Sequence, residues 1–538
     1  MTLRDDNINQ LKASPFDVLI IGAGINGAVS AAALAAKGVK VGVIDRGDFA
    51  GETSSQSSNL AWGGIKYLES HDYGLVNELC QSRNHLMEHY PSTVKEIRFL
   101  TTIANGFRFP APVVYAGTVL YWMFGRFVTR RPNFLCAHEI KQLEPIINTD
   151  NVQGGFEYSD CYLHDNDSRF VFNFIRRAMH CGAVATNYVE SLGAIRKQGL
   201  WNIKLKDLVS GDSFEVKTKT LINACGPYVD THNRLIGQQT KHHHLFSKGI
   251  HLIVDRLTPS HKVLAFFASD GRLFFIMPMG PKTCIGTTDV QVKSPQTKVT
   301  DEDRNFVLNN VNQLLSLAQP LTKGDIISER CGVRPLASTS DTAIGNWTEI
   351  SRKHSIDFNH ADKHLSIFGG KLTDCINVGN EVCSIVARMG IPLQQVDRRW
   401  YGEPNKTDRQ RFMTQAMAMK LDDLLPKELH QPSPEPLSQR FWRRYGLNAF
   451  SLLERIKQQP ESGKLLIENA AYLVCEIELA ARTEMIVTLE DFLRRRSKIA
   501  LVVDKQTLLN SKGLLQACEI LFGELAQQKL EEYAARVN

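Results

Sequence analysis

The sequence predicts an α/β protein in three parts: a discontinuous, Rossmann-like dinucleotide-binding domain, an antiparallel-sheet domain for the substrate, and a C-terminal α-helical domain. Three observations carry this prediction. Residues 16–45 read FDVLIIGAGINGAVSAAALAAKGVKVGVID, which is strand, glycine-rich turn, helix and second strand in the order a dinucleotide cradle needs. Residues 246–290 contain the runs FSKGIHLIVD, VLAFFA, RLFFIM and TCIG, each short, β-rich and bounded by turn residues. From Glu403 onward strand signals give way to helical patterning, interrupted by the proline-rich stretch QPSPEP at 431–436.

The first strand is the β-branched apolar run Phe16 to Ile21. Gly22 permits the tight turn that follows, Gly24 lets the backbone approach a pyrophosphate, and Gly27 lets the helix pack close to the strand. Ala28, Ala31, Ala32 and Ala35 recur at helical spacing, and Val39 to Ile44 forms the second strand. Asp45 lies 18 residues beyond Gly27, where a carboxylate accepts a ribose hydroxyl. An interruption from about residue 72 to 150 carries helical patterning. The sheet resumes with a helix at Phe170 to Ala178, a strand at Gly182 to Tyr188, and a strand at Thr220 to Ala224. The Cys225-Gly226-Pro227 turn marks that last strand's carboxyl end, where open α/β sheets bind ligands.

Composition narrows the function. A chain of 538 residues is too long for one core, and 43% hydrophobic with 22% charged residues describes a globular protein. A net charge of +6 from 63 basic and 57 acidic residues gives no indication of nucleic acid, while it suits a small anionic substrate or an anionic lipid surface. The 11 cysteines form no C-x-x-C pair, which fits reduced thiols in a cytosolic setting, and no structural metal is expected. The N-terminus lacks the apolar core of a signal peptide. Residues 109–125, FPAPVVYAGTVLYWMFG, carry no charge and are flanked by Arg108 and by Arg126, Arg130 and Arg131. With Pro110, Pro112 and Gly117 the segment is a poor spanning helix; it reads either as an interfacial helix, with Tyr115, Tyr121 and Trp122 at headgroup level, or as a core helix.

Six ordered stretches add a family resemblance: TSSQSSNLAWGGIKYLE (53–69), GFEYSDC (155–161), SKGIHLIV (247–254), GTTDV (286–290), GVRPL (332–336) and SIFGGKLTD (366–374). With these the chain resembles the FAD-dependent glycerol-3-phosphate dehydrogenases of the aerobic, quinone-linked type, and its tail with FWRRYG at 441–446 is similar to their C-terminal domain. The resemblance implies oxidation of sn-glycerol 3-phosphate, a small phosphorylated polyol, to dihydroxyacetone phosphate by hydride transfer to flavin N5. It further implies a membrane quinone as acceptor and is compatible with a homodimer, while residues 109–125 with their basic flank point to peripheral attachment to the cytoplasmic face of the inner membrane. FAD binding is expected from 15–71, 150–235 and 326–395, the substrate or cap domain from 72–149 and 236–325, and the helical domain from 400–538. The cofactor residues implied are Gly22, Gly24, Asn26, Gly27, Asp45, Thr53, Ser54, Ser55, Ser58, Gly63, Gly64, Gly226, Gly370, Lys371, Leu372 and Thr373. Those implied for the substrate are Lys66, Tyr67, Arg334, Lys371 and Thr373, with His251, Arg334 and Lys371 catalytic.

The residues also speak for themselves. A phosphorylated secondary alcohol needs a cationic clamp, a group that takes the hydroxyl proton, and a hydride acceptor. Arg334, in a Gly-Val-Arg-Pro turn, has a guanidinium fork suited to phosphate or alkoxide, and Lys371 follows Gly369-Gly370 at a strand-to-helix turn. His251 titrates near neutrality and is a candidate base, and Lys66 and Tyr67 follow Gly63-Gly64. Plainer roles stand beside these: Arg334 as an ion-pair partner, His251 as a core histidine, Lys66 as a solvated lysine. The triplet His242-His243-His244 reads as surface loop, since adjacent histidines do not converge easily on one ion. The resemblance also implies that the helix beginning near Thr373 turns its positive end to the flavin. Two departures from the family pattern stand out. Lys66 occupies the place of an arginine, and Leu372-Thr373-Asp374-Cys375-Ile376 replaces the family's Leu/Trp-Thr-Thr-Tyr-Arg. The competing readings are a flavin oxidase acting on an amine or 2-hydroxy acid, and a non-catalytic flavin-bearing module.

Overall fold

The computed structural model of the protein describes residues 2–269, 271–339, 353–425, 435–467 and 470–536; most of the QPSPEP stretch lies outside them. The chain opens with α1 (Leu3–Ala13), β1 (Phe16–Ile21), α2 (Ile25–Ala36), β2 (Val41–Ile44) and β3 (Leu60–Ala61). It continues with α3 (Tyr73–His89), β4 (Val94–Ala104), α4 (Ala111–Phe124), β5 (Asn133–Leu135), α5 (Ala137–Leu143), β6 (Val152–Leu163) and α6 (Asp167–His180). Next come β7 (Val184–Thr186), β8 (Val189–Lys197), β9 (Leu200–Asp207), β10 (Ser213–Asn223), α7 (Val229–Leu235), β11 (His243–Asp255), β12 (Val263–Phe267), β13 (Leu273–Met279), β14 (Lys282–Gly286) and β15 (Val290–Val292). The two-sheet body closes with α8 (Asp301–Leu314), β16 (Ser328–Ser338), β17 (Ser355–Asn359), β18 (His364–Phe368) and α9 (Cys375–Arg388).

The first sheet runs β17-β18-β10-β1-β2-β7, with β9 and β8 added beside β10. Its centre is parallel: β1 lies between β10 and β2, with Leu19 opposite both Leu221 and Gly42. A strand covered on both faces needs no alternation, which is why FDVLII reads as a continuous apolar run. The outlying strand β9 alternates buried and open positions, as expected of a strand with one wet face. Helix α2 is made almost wholly of small apolar residues and is buried along its length, packed between the sheet and helices α6 and α9. Its alanines allow that close approach, and the expected discontinuous α/β sheet is what forms.

The second sheet is nearly all antiparallel, in the order β15-β11-β14-β13-β12-β4-β6-β3, with β16 on β11 and β5 on β6. The segments 150–235 and 326–395 thus each supply strands to both sheets, β6 and β16 going to the second. In β11 and β16, paired antiparallel, Ser247 faces Arg334 and His251 faces Arg330. The four-residue spacing puts His251 and Ser247 on one face of β11, and Arg330 and Arg334 on the matching face of β16.

The C-terminal part is helical, from α10 (Lys406–Ala418), α11 (Leu437–Tyr445) and α12 (Ala449–Gln458) to a last helix at Ala526–Ala535, with one short hairpin, Leu465–Ile467 with Tyr472–Leu473. Buried ion pairs fasten it to the first sheet's helices and loops. Asp48 takes Arg495 and Arg496 at 2.7 Å each, Asp165 takes Arg443 and Arg444 at 2.6 Å each, and Arg169 meets Glu484 at 2.7 Å. Charges buried this completely persist only when paired.

Candidate active site

The glycine-rich turn has the geometry of a phosphate cradle. Gly22 sits at φ +99°, where a Cβ would come within 2.4 Å of the Ala224 carbonyl oxygen, and a Cβ on Gly27 would fall 1.8 Å from the Gly22 oxygen. Neither position tolerates a side chain, so the N-terminus of α2 lies close against β1 and β10, the setting in which a helix start receives a phosphate. Asp45 ends β2 and accepts the N–H of Ala23 at 2.7 Å and of Gly47 at 2.9 Å, which leaves carboxylate lone pairs for a ribose hydroxyl. Burial pushes its pKa up to about 6 against those two hydrogen bonds, with Asp48 and Glu52 adding to the rise.

The serine-rich loop braces itself. Ser54 Oγ accepts the Ile25 N–H at 2.9 Å, Thr53 donates to the Val333 carbonyl at 2.6 Å, and Ser55 donates to the Glu52 carbonyl at 3.0 Å. Ser57 N–H goes to Asp167 at 2.8 Å, and Ser58 Oγ lies 3.0 Å from His251 Nε2. Gly226, at φ +55°, opens the turn Gly226–Tyr228 after β10, with open space where its Cβ would lie.

Between the sheets lies a cavity of about 710 Å³, lined among others by Trp62, Lys66, Tyr67, His251, Arg334 and Lys371. Its size suits a flavin ring with a small substrate beside it. Arg334 Nη2 donates to Thr287 Oγ1 at 2.9 Å, its Nη1 lies 3.3 Å from the Thr288 carbonyl, and Asp289 is 3.5 Å away. Gly249 gives the guanidinium its room: a Cβ there would stand 2.3 Å from Arg334 Nη2. His251 is buried. Desolvation first, then the positive charges of Arg330 and Arg334, hold its pKa well below the usual histidine range, so the ring is neutral and able to accept a proton. Its Nδ1 has no hydrogen-bond partner among the described residues.

Lys371 lies over the ring of Tyr67 at 4.2 Å and that of Trp62 at 5.5 Å, an aromatic corner that places an ammonium in a largely apolar surround. Gly64, at φ +79°, starts the turn Ile65–Leu68, which holds half-buried Lys66 and Tyr67 at the cavity wall; a Cβ on Gly64 would meet the Tyr67 ring at 2.6 Å. Gly63 donates its N–H to buried Asp160 at 3.1 Å. The turn Leu372–Asp374 leads into α9, so the helix begins at Cys375, close to the expected Thr373; Thr373 is buried and its hydroxyl reaches the Trp62 carbonyl at 3.4 Å. The Gly369-Gly370 turn is pinned by Asn26 Nδ2, 3.0 Å from the Gly369 carbonyl.

The structure corrects two readings. His242–His244 are not a surface loop. The strand β11 begins at His243, His242 pairs with Asp357 at 2.8 Å, and buried His244 accepts the Gly369 N–H through Nε2 at 3.1 Å, with Asp230 3.3 Å from its Nδ1. The run FSKGIHLIV extends backward into the triplet because β16 offers partners as far as Ser338. Tyr121 does not reach toward a headgroup region either: it is buried and donates to Asp160 at 2.6 Å beside Arg83. Arg330, Trp62 and His354 are site neighbours the sequence does not single out. Arg330 is visible in hindsight as the residue four before Arg334, on the same face of a strand. The spacing His85-x-x-Glu88-His89 on α3 also passes unnoticed in the sequence; there three potential ligand atoms lie within 4.8 Å of one another, outside the cavity lining.

Comparison with known proteins bears on the family and the fold. Residues 17–367 match the family model described as FAD dependent oxidoreductase, and residues 409–520 match the C-terminal domain of alpha-glycerophosphate oxidase. The chain is 27% identical to the aerobic glycerol-3-phosphate dehydrogenase of Bacillus subtilis, covering 92% of this chain and 89% of that protein. It is 29% identical to the glycerol-3-phosphate dehydrogenase of Pseudomonas aeruginosa, over 94% of this chain and 96% of that one. Its fold is similar to that of the Bacillus halodurans glycerol-3-phosphate dehydrogenase solved with FAD, at a TM-score of 0.75 and 24% identity, covering 99% and 97% of the two chains.

Proposed function

The chain belongs to the FAD dependent oxidoreductase family, an enzyme family that holds FAD, and from that premise we propose that it oxidises sn-glycerol 3-phosphate to dihydroxyacetone phosphate and passes the electrons to a quinone. The observation that carries the reading is the cavity itself: two cations, Arg334 and Lys371, and one buried neutral histidine converge on a space next to the cofactor cradle. Bound FAD supplies the hydride acceptor at N5. The chain's own residues do the rest. Arg334, oriented by Thr287 and Thr288, takes the phosphate or the developing alkoxide through its fork, and Lys371 and Lys66 add positive charge to the same cavity. His251 takes the hydroxyl proton. Arg330 and Arg334 oppose protonation of its ring, and a dianionic substrate on Arg334 offsets that charge and raises the ring's basicity. Relatives named glycerol-3-phosphate dehydrogenase over nearly the whole chain support the choice of substrate.

The surface of α4 supports this choice of acceptor and location. On α4, Val113, Ala116, Leu120 and Met123 recur at three- and four-residue spacing and face outward, and Phe127 follows just past the helix end; Val113, Met123 and Phe127 are each more than half exposed (54%, 52% and 56%). Arg108, Arg126, Arg130 and Arg131 flank this stripe. Such a surface suits peripheral attachment to an anionic bilayer, within reach of a dissolved quinone. No helix among the described residues is long and apolar enough to cross a membrane. The test is a product assay on purified holoenzyme with glycerol 3-phosphate, with either a quinone analogue or oxygen as the sole acceptor. Equal amounts of dihydroxyacetone phosphate and reduced quinone, with little peroxide under oxygen, support the reading. Peroxide equal to product under oxygen, with an idle quinone, replaces it with an oxidase.

A further inference from the structure

The sequence places an acid, Asp374, where the resembling family has a neutral residue, and the structure shows what it meets. Asp374 Oδ2 lies 2.6 Å from His354 Nδ1, while His354 Nε2 lies 2.8 Å from Glu381, two turns along α9. A neutral imidazole has one N–H and can donate to only one of two carboxylates; a ring held between both carries a proton on each nitrogen. Asp374 Oδ1 accepts from Asn377 at 2.6 Å and from Ser82 of α3 at 3.2 Å, and its side chain does not cap α9. The turn in front of the cluster is tight. Gly370 stands at φ +97°, and a Cβ there would lie 3.3 Å from the His354 Cβ and 3.3 Å from Asn26 Oδ1. The residues that follow it, Lys371, Leu372 and Thr373, line the cavity.

We propose that His354 is a positioning residue of the FAD site: by bridging Asp374 and Glu381 it holds the Gly369-Gly370-Lys371 turn against the start of α9 and balances the carboxylate this chain places at that helix's N-terminus. The proposal rests on the cofactor, not on the choice of substrate. A helix N-terminus carries roughly half a positive charge, which favours electron density gathering on a bound ring. An unbalanced carboxylate in the same turn opposes it. The charged groups facing His354 among the described residues are Asp374 and Glu381 of α9, with the adjacent Lys353 paired to Glu78 of α3 at 2.8 Å. Burial by itself lowers the His354 pKa, but the hydrogen bonds and charges of Asp374 and Glu381 outweigh it and push it up to about 9. A raised histidine pKa contributes stability that is complete below the unfolded value near 6.5 and lost as pH rises through about 9.

The experiment compares holoenzyme, His354→Gln, and His354→Gln with Asp374→Asn, reading the two-electron midpoint potential of bound FAD and the melting temperature between pH 6 and 10. His354→Gln is expected to shift the oxidised-to-reduced equilibrium about tenfold toward oxidised flavin, ~30 mV for two electrons, and to flatten the fall in melting temperature between pH 6.5 and 9. Adding Asp374→Asn is expected to recover most of the potential. A His354→Gln enzyme with the parent's potential and pH profile overturns the proposal, and so does a double variant that recovers nothing, since shape rather than charge is then lost. Should His354→Gln not fold, Glu381→Gln, at a half-exposed position, removes one of the two acceptors; it is expected to bring the alkaline loss of stability to lower pH, and an unchanged profile overturns the proposal equally.

Discussion

Arg334 and the glycine that makes room for it give the sharpest expectations for single residues. Arg334→Ala removes a charge-assisted pair worth about 1.5–3 kcal/mol, hence a loss of about 10- to 150-fold in kcat/KM for glycerol 3-phosphate with FAD content unchanged. Full activity in that variant assigns the clamp elsewhere. Gly249→Ala is expected to lower kcat/KM in the same direction without touching substrate, because its Cβ displaces the guanidinium 2.3 Å away; steady-state kinetics on both variants checks the pair. Lys66→Arg restores a planar fork on the cavity wall and is expected to lower KM, whereas a raised KM marks a pocket reshaped around lysine. Asp45 supplies a pH dependence. Its pKa is raised to about 6, so the stability it contributes to FAD-free protein is present below about pH 4 and lost as pH rises through 6. FAD requires the ionised acceptor, so the dissociation constant is expected to rise as pH falls below 6, and Asp45→Asn to weaken binding at pH 8 and flatten that dependence; fluorescence titration of apoprotein reads both.

Among the elements, α4 is where the proposed location is tested. A lipid test built on Tyr121 alone is uninformative, since Tyr121 joins a buried cluster with Asp160 and Arg83 and its loss damages the fold. The outward stripe is the proper target. The parent protein is expected to sediment with anionic vesicles at low salt and to be released by added salt, and Val113→Ser with Met123→Ser and Phe127→Ser to abolish sedimentation while leaving turnover with a soluble acceptor intact. Parent protein that stays in the supernatant at low salt removes the membrane role of α4. How much of this was legible beforehand depended on range. The run FDVLIIGAGING declares its strand, turn and helix because each residue there is constrained by near neighbours, as Gly22 and Gly27 show. The strand status of His243 and His244 is set by β16, almost a hundred residues away, and local composition cannot report it. The pairing of His354 with Asp374 is long-range in the same sense, so the sequence displays the acid without its partner.

Over the whole molecule, buried charges join the helical domain to the body formed by the sheets. Asp48→Ala leaves Arg495 and Arg496 buried without their acceptor, and is expected to cost about 3–5 kcal/mol, seen as a lowered melting temperature and as faster proteolysis of the C-terminal helices. The sheet order places the cradle of the first sheet beside the cavity of the second, and β16 carries Arg334 and Arg330 into that junction. That arrangement states the central claim in physical form: a flavin enzyme whose cavity is charged to receive a phosphorylated alcohol. Anaerobic mixing of the yellow holoenzyme with sn-glycerol 3-phosphate tests it most directly. Rapid bleaching of the flavin band is the predicted result, with Arg334→Ala needing far more substrate for the same rate. A flavin that stays yellow with glycerol 3-phosphate and bleaches with an amine or a 2-hydroxy acid would contradict the claim.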